Sequence, residues 1–119
     1  MSDKKPTDLI ASARHEGDAA IVAIRGEIDL HNSPELRNHM LQHLDVSIKR
    51  LILNLTEVPY MDSSAIAVFV EALQKLRKTG GKIYLTNLQP RVKGLLEIAK
   101  LDSIFIVCAD ENAALTSTR

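Results

Sequence analysis

Residues 50–81, RLILNLTEVPYMDSSAIAVFVEALQKLRKTGG, hold a strand, a loop and a helix in succession. Leu51, Leu53 and Leu55 fall on one side of an extended segment over residues 50–55, with Ile52 and Asn54 on the other. A run that is apolar on both sides except for Asn54 suits a central strand. The helix starts near Ser63 and sets Ile66, Phe69, Val70, Leu73 and Leu76 along one stripe, leaving Glu71, Gln74, Lys75 and Lys78 for water. Gly80 closes it, since glycine takes the left-handed conformation that ends a helix without strain. Between strand and helix, Pro59 leads into Asp62-Ser63-Ser64, which places hydroxyls at the positive end of a helix, where a phosphate would be tolerated.

The flanking sequence extends this pattern. Upstream, Leu9, Ala11 and Ala13 alternate with more polar neighbours, as do Ala20, Val22 and Ile24 after Glu16-Gly17-Asp18, the signature of a β-hairpin. Gly26-Glu27-Ile28-Asp29 ends the second strand, and Ser33-Pro34-Glu35 supplies an N-cap, a proline at the first helical position and an acid in the first turn. Leu36, Met40 and Leu44 share a helical face. Downstream, residues 82–86 read as a strand, 90–100 as a helix, 104–108 as a fifth strand and 112–116 as a short final helix. Alternating strand and helix after a hairpin implies right-handed crossovers and a mostly parallel sheet. The expected class is α/β, a small mixed sheet with about four helices mainly on one face.

Composition narrows the function classes. The chain has 119 residues, a common size for one domain. With 15 Lys plus Arg against 15 Asp plus Glu, it has no bulk field to attract nucleic acid. One cysteine, Cys108, excludes a disulfide scaffold and reads as a buried, inert thiol in a reducing compartment. Residues 1–7 are polar and lack the apolar stretch of a secretory signal, and no segment is long and apolar enough to cross a bilayer. These features lead us to expect a cytoplasmic protein without membrane insertion.

Enzyme signatures are missing. Lys78-Thr79-Gly80-Gly81-Lys82 superficially resembles a phosphate loop, but such a loop follows a strand and opens a helix, whereas this segment does the reverse. Neither Gly-x-Gly-x-x-Gly nor Gly-x-Ser-x-Gly occurs. His39 and His43 are spaced to share a helix face, with His31 upstream, but no further ligand at motif spacing completes a metal set, so we read them as solvated surface. No cofactor or metal is expected, and no catalytic residue is assigned.

The loop residues leave two readings open. Glu27, Asp29 and Asp62 lie at strand ends or in the loops that follow, and loops at the carboxyl ends of parallel strands gather on one edge. They form an acidic surface around Ser63, or merely turns and helix caps. Ser63 and Ser64 are helix caps, each stabilising by roughly 1 kcal/mol, or carry a modifiable hydroxyl; the two roles are compatible. Ala65 to Val70 is an unbroken apolar row wider than a one-sided core stripe, which fits either a partner-facing helix or one buried on two sides.

Gly26-Glu27-Ile28-Asp29, Leu53-Asn54-Leu55, the segment YMDSSAIAV at residues 60–68 and Gln89-Pro90-Arg91-Val92-Lys93 together resemble the STAS domain family. Within that family the chain is similar to the stand-alone bacterial anti-anti-sigma factors, also called anti-sigma factor antagonists. The resemblance runs from about residue 9 to 116, and it implies a single STAS domain over residues 8–117 behind a flexible segment at 1–7.

Such proteins dock onto partners and have no catalysis of their own. The resemblance implies that a serine kinase, itself the anti-sigma factor, phosphorylates Ser63, that a PP2C-type phosphatase reverses this, and that the unphosphorylated form binds the kinase. It also implies a partner-binding surface of Asp29, Asp62, Ser63, Ser64, Ala65 and Ile66. An alternative is a STAS scaffold that does not switch, in a stress-signalling complex or as an accessory subunit of an ABC lipid transporter. Two positions depart from the family pattern. Ala65 stands where glycine is usual, so its methyl group is expected at the closest approach of the partner, and Lys100-Leu101 replaces a common Gly-Leu, so the third helix is expected to lack its left-handed glycine.

Overall fold

The computed structural model describes residues 9–119; the segment expected to be flexible, residues 1–7, lies outside them. The hairpin forms as the alternating residues require: β1 (Ile10–Glu16) and β2 (Ala19–Arg25) pair antiparallel, with Glu16 opposite Ala19 and an irregularity between Ile10 and Ser12. Beyond it, β3 (Arg50–Glu57), β4 (Lys82–Thr86) and β5 (Ile106–Cys108) add in parallel, giving one sheet in the order β1-β2-β3-β4-β5. The helices are α1 (Ser33–Gln42), α2 (Ser63–Arg77), α3 (Pro90–Ile98) and α4 (Glu111–Leu115). Each parallel connection crosses over through a helix, as parallel strands demand.

Period-two patterning sorts the side chains onto two faces. Ala20, Val22, Ile24, Leu51, Leu53, Leu55, Ile83 and Leu85 point to the main core, which α1 closes with Leu36 and Met40, α2 with Phe69 and Leu73, and α3 with Val92 and Leu96. Phe69 meets Phe105 edge-on, ring centroids 6.2 Å apart, a favoured aromatic geometry. On the opposite face Ala19, Ile21, Ile52 and Tyr84 form a smaller apolar layer capped by Ala114 of α4. Three helices therefore cover one face and one short helix the other. In β1 only the Leu9 end reaches the core, and Ala11 and Ala13 are exposed.

α4 is too short to hold itself together, and side chains from the sheet secure it. The Arg50 guanidinium donates to the carbonyl of Ala114 at 2.8 Å and to that of Ser117, just beyond the helix, at 2.7 Å, which ties the helix end to the sheet. Asp110 caps the other end by accepting from the Ala113 N–H at 2.9 Å. Asn54, the polar exception within residues 51–55 of β3, donates to Glu111 at 2.7 Å, which explains its place in an otherwise apolar run.

Local details correct some expectations. The fifth strand covers only residues 106–108, with Phe105 instead packed into the core. Ser33 does not cap α1: the N-cap is Asn32, and Ser33 is buried as the first helical residue. At the end of α3, Lys100 itself adopts the left-handed conformation, with φ 59°. Its N–H bonds the Glu97 carbonyl at 3.0 Å and the Leu101 N–H bonds the Leu96 carbonyl at 2.9 Å, so the Schellman closure forms without glycine.

Candidate functional site

The sheet's carboxyl edge brings two loops together. Gly26, at φ 85°, turns the chain out of β2 in a conformation glycine tolerates, and its N–H bonds the Glu57 carbonyl at 2.7 Å. A parallel bridge then pairs Ile28 with Met61: the Ile28 N–H donates to Tyr60 at 3.2 Å, and the Asp62 N–H donates to Ile28 at 3.1 Å. Asp29 and Asp62 each follow directly on this bridge, so the register sets the two acids side by side before the chains diverge into α1 and α2. A third element buttresses the loop from α3, where Gln89 donates to the Thr56 carbonyl at 2.7 Å and the Arg91 guanidinium lies 4.6 Å from the Tyr60 ring centroid.

The acids have structural duties. Asp29 Oδ1 accepts from the N–H groups of His31 at 2.9 Å and Asn32 at 3.3 Å, and its carbonyl accepts from Ser33 at 2.8 Å, a turn that launches α1. Asp62 is the N-cap of α2, its extended backbone leaving Oδ1 to accept from the Ser64 N–H at 2.9 Å and the Ser64 hydroxyl at 2.5 Å. The Ser64 hydroxyl, helped by the backbone N–H groups of Ser64, Ala65 and Leu30, holds the Asp62 carboxyl below its usual range. Asp62 is therefore ionised at neutral pH.

The two serines now differ. Ser64 is half-buried and spends its hydroxyl on Asp62. Ser63 is exposed, and among the described residues its hydroxyl has no hydrogen bond. It stands on the first residue of α2, where the positive end of the helix dipole favours added negative charge. A hydroxyl so placed can take up a phosphoryl group without first breaking an internal bond.

One residue expected at the partner surface lies elsewhere. Ala65 is fully buried, 0% exposed, so its methyl group packs into the core and does not stand at a partner's closest approach; the helix turns about 100° per residue, which carries it inward from Ser63 and Ser64. Ile66 is half-buried against the same core. Of the apolar row after the serines, Val68 and Phe69 are also buried and Val70 is partly so, leaving Ala67 exposed.

Sequence reasoning missed a groove between α1 and α2. Leu30 and Pro34 line one wall, Ala67 and Val68 the other, and Asp62 and Ser63 form its rim. Leu30 is 75% exposed although it is a large apolar side chain. The far end is closed by Arg37 of α1, which pairs bidentately with Glu71 of α2 at 2.6 Å through both Nε and Nη2. The only advance signal was a leucine in a polar loop, outside any core periodicity.

The remaining candidates sit apart from this edge. The His15 and His43 rings are 5.4 Å apart near the end of α1, and burial, then His15 and His39, push the His43 pKa down. Among the described residues no three His, Cys, Asp or Glu side chains converge as a metal-binding group. Burial raises the Cys108 thiol pKa, which suppresses the reactive thiolate. No helix among the described residues is long and apolar enough to cross a membrane.

Residues 11–114 match the STAS domain. The chain belongs to the STAS domain family. Among curated relatives, this STAS domain is 35% identical over 88 residues to an anti-sigma-B factor antagonist of Bacillus subtilis (strain 168), covering 74% of this chain and 80% of that one. Its fold superimposes on an anti-sigma factor antagonist from Mycobacterium paratuberculosis with a TM-score of 0.80 at 23% identity, covering 92% and 93% of the two chains. It likewise matches the anti-sigma factor antagonist SpoIIAA in its unphosphorylated form, with a TM-score of 0.71 at 20% identity over 86% and 90% of the chains. The SpoIIAA of Bacillus in its phosphorylated form gives a TM-score of 0.65 at 18% identity over 86% and 94%. The expected mixed sheet, hairpin first and then parallel, is the architecture this STAS domain adopts.

Proposed function

We propose that this STAS domain is an anti-sigma factor antagonist that works by partner switching. Unmodified, it binds a serine kinase that also serves as anti-sigma factor; phosphorylation of Ser63 releases it, and a PP2C-type phosphatase restores the binding form. The observation that carries this reading is the division of labour between the serines: Ser64 is bonded to Asp62, while Ser63 is exposed and has no hydrogen bond among the described residues. The relatives support it, since the Bacillus subtilis protein is an anti-sigma-B factor antagonist and SpoIIAA has both an unphosphorylated and a phosphorylated form.

The electrostatics supply a mechanism. A phosphoserine brings about −1.5 to −2 charges and three acceptor oxygens. In the free domain the N-terminus of α2 stabilises that charge. In a closed interface the same charge loses its water beside the ionised Asp62, so the complex is penalised more than the free protein. Asp29, Asp62, Ser63, Ser64 and Ile66 belong to the proposed docking edge, with Ala65 supporting it from within the core. The domain's part is docking, without turnover of its own, in the cytoplasm.

The test is the intact mass of the protein before and after incubation with candidate serine kinases of the same genome and ATP, with fragmentation to locate the phosphate. One phosphate on Ser63 is expected, removable by a PP2C-type phosphatase. Modification confined to Ser64 or another residue overturns the site assignment.

A further inference from the structure

We infer that the groove between α1 and α2 is the apolar anchor site for the kinase, holding one aliphatic side chain of that partner against Leu30. This rests on the partner-switching reading and adds a second, phosphate-independent half to the docking surface.

Geometry places the groove within reach of an interface centred on Ser63. The groove begins at Ser63 and ends at Glu71, eight residues along α2, or about 12 Å. A stable protein interface occupies roughly 800 Å² on each partner, a patch about 30 Å across. A kinase whose footprint of that size is centred on the Ser63 hydroxyl therefore also covers Leu30. The loop presents that leucine rigidly: the bridge between Ile28 and Met61 ends just before it, and Asp29 and Asn32 fold the turn around it. Rigid presentation of an exposed leucine lowers the ordering cost of binding.

Charge defines the occupant. At the far end the Arg37–Glu71 pair satisfies both partners and leaves no net charge, and the walls are mainly the apolar Leu30, Pro34, Ala67 and Val68, beside the uncharged Ser33 and Ser64. At the near end stands the ionised Asp62. The complementary segment is thus an aliphatic side chain for the middle of the groove, followed by a basic residue facing Asp62. A second copy of this chain presenting its own acidic edge does not meet that requirement. Anchor and switch are then separate: the groove supplies affinity, and Ser63 decides whether the rim repels.

Titration calorimetry of Ser63→Ala, with and without Leu30→Ser, against candidate serine kinases of the same genome tests this. We expect Ser63→Ala to bind one kinase, Leu30→Ser to weaken that binding by about tenfold or more, and Leu30→Met to restore it. Leu30→Ser with Ser63 intact should raise KM for Ser63 phosphorylation and leave kcat unchanged, as loss of uniform binding does. The melting temperature should not move, because the side chain is exposed. Equal affinity with and without Leu30→Ser overturns the anchor and leaves partner switching standing. If Ser63→Ala binds no kinase, partner switching fails and the anchor falls with it.

Discussion

The Ser64 hydroxyl donates to Asp62 Oδ1 at 2.5 Å, and this bond sets Ser64 apart from its neighbour Ser63. Ser64 completes the cap that starts α2; Ser63 is left to the solvent. Replacing Ser64 with alanine keeps the backbone bond from its N–H to Asp62 and removes the side-chain bond. A loss of about 0.5–1.5 kcal/mol in urea unfolding is expected, with Ser63 still phosphorylated. Loss of phosphorylation in a folded Ser64→Ala protein would make Ser64 the acceptor.

Lys100 closes α3 in the left-handed conformation at φ 59°, a position normally suited to glycine. Lys100→Gly relieves that strain while keeping both Schellman bonds, and should stabilise the domain by about 0.5–1 kcal/mol in urea unfolding. A destabilised variant would show that the lysine side chain contributes more than its backbone costs.

Arg50 joins the start of β3 to the Ala114 carbonyl of α4 and the Ser117 carbonyl beyond it, and lies over the Tyr84 ring, 5.2 Å from its centroid. Arg50→Ala should cost about 1.5–3 kcal/mol, since charge-assisted bonds to part-buried carbonyls are lost. Hydrogen exchange should accelerate in residues 111–117 more than in α2. Uniform acceleration would instead indicate global unfolding through the core.

His43 is half-buried and its pKa lies below the ordinary 6.5, from burial first and then from His15 and His39. The neutral ring is thus favoured in the folded state, so its contribution is fully present above 6.5 and is lost as pH falls through the folded value. Stability should decline below pH 6.5 before the carboxylates titrate, and His43→Phe should flatten that decline. An unchanged slope in the variant would assign the effect to another group.

The main sheet was legible because its strands are short alternating or apolar runs and its helices are punctuated by Pro34, Gly80 and Pro90. The position of Ser63 at the start of α2 was legible too, from its place between a buried strand and an amphipathic helix. The second face was legible only in part: a short final helix was expected at 112–116 and β3 read as apolar on both sides, but five residues carry no period to show that α4 covers Ile21, Ile52 and Tyr84. Ala65 was misplaced because adjacency to Ser64 in sequence means a different direction around a helix. Leu30 escaped notice because a lone apolar residue in a loop carries no period, and the Arg37–Glu71 pair depends on tertiary packing between residues 34 apart.

The central claim is tested most directly by titrating one kinase that modifies Ser63 with the unmodified protein and with the protein homogeneously phosphorylated at Ser63. Partner switching predicts at least about a hundredfold weaker binding of the phosphorylated form, roughly 2.7 kcal/mol. Equal affinity of the two forms would contradict it.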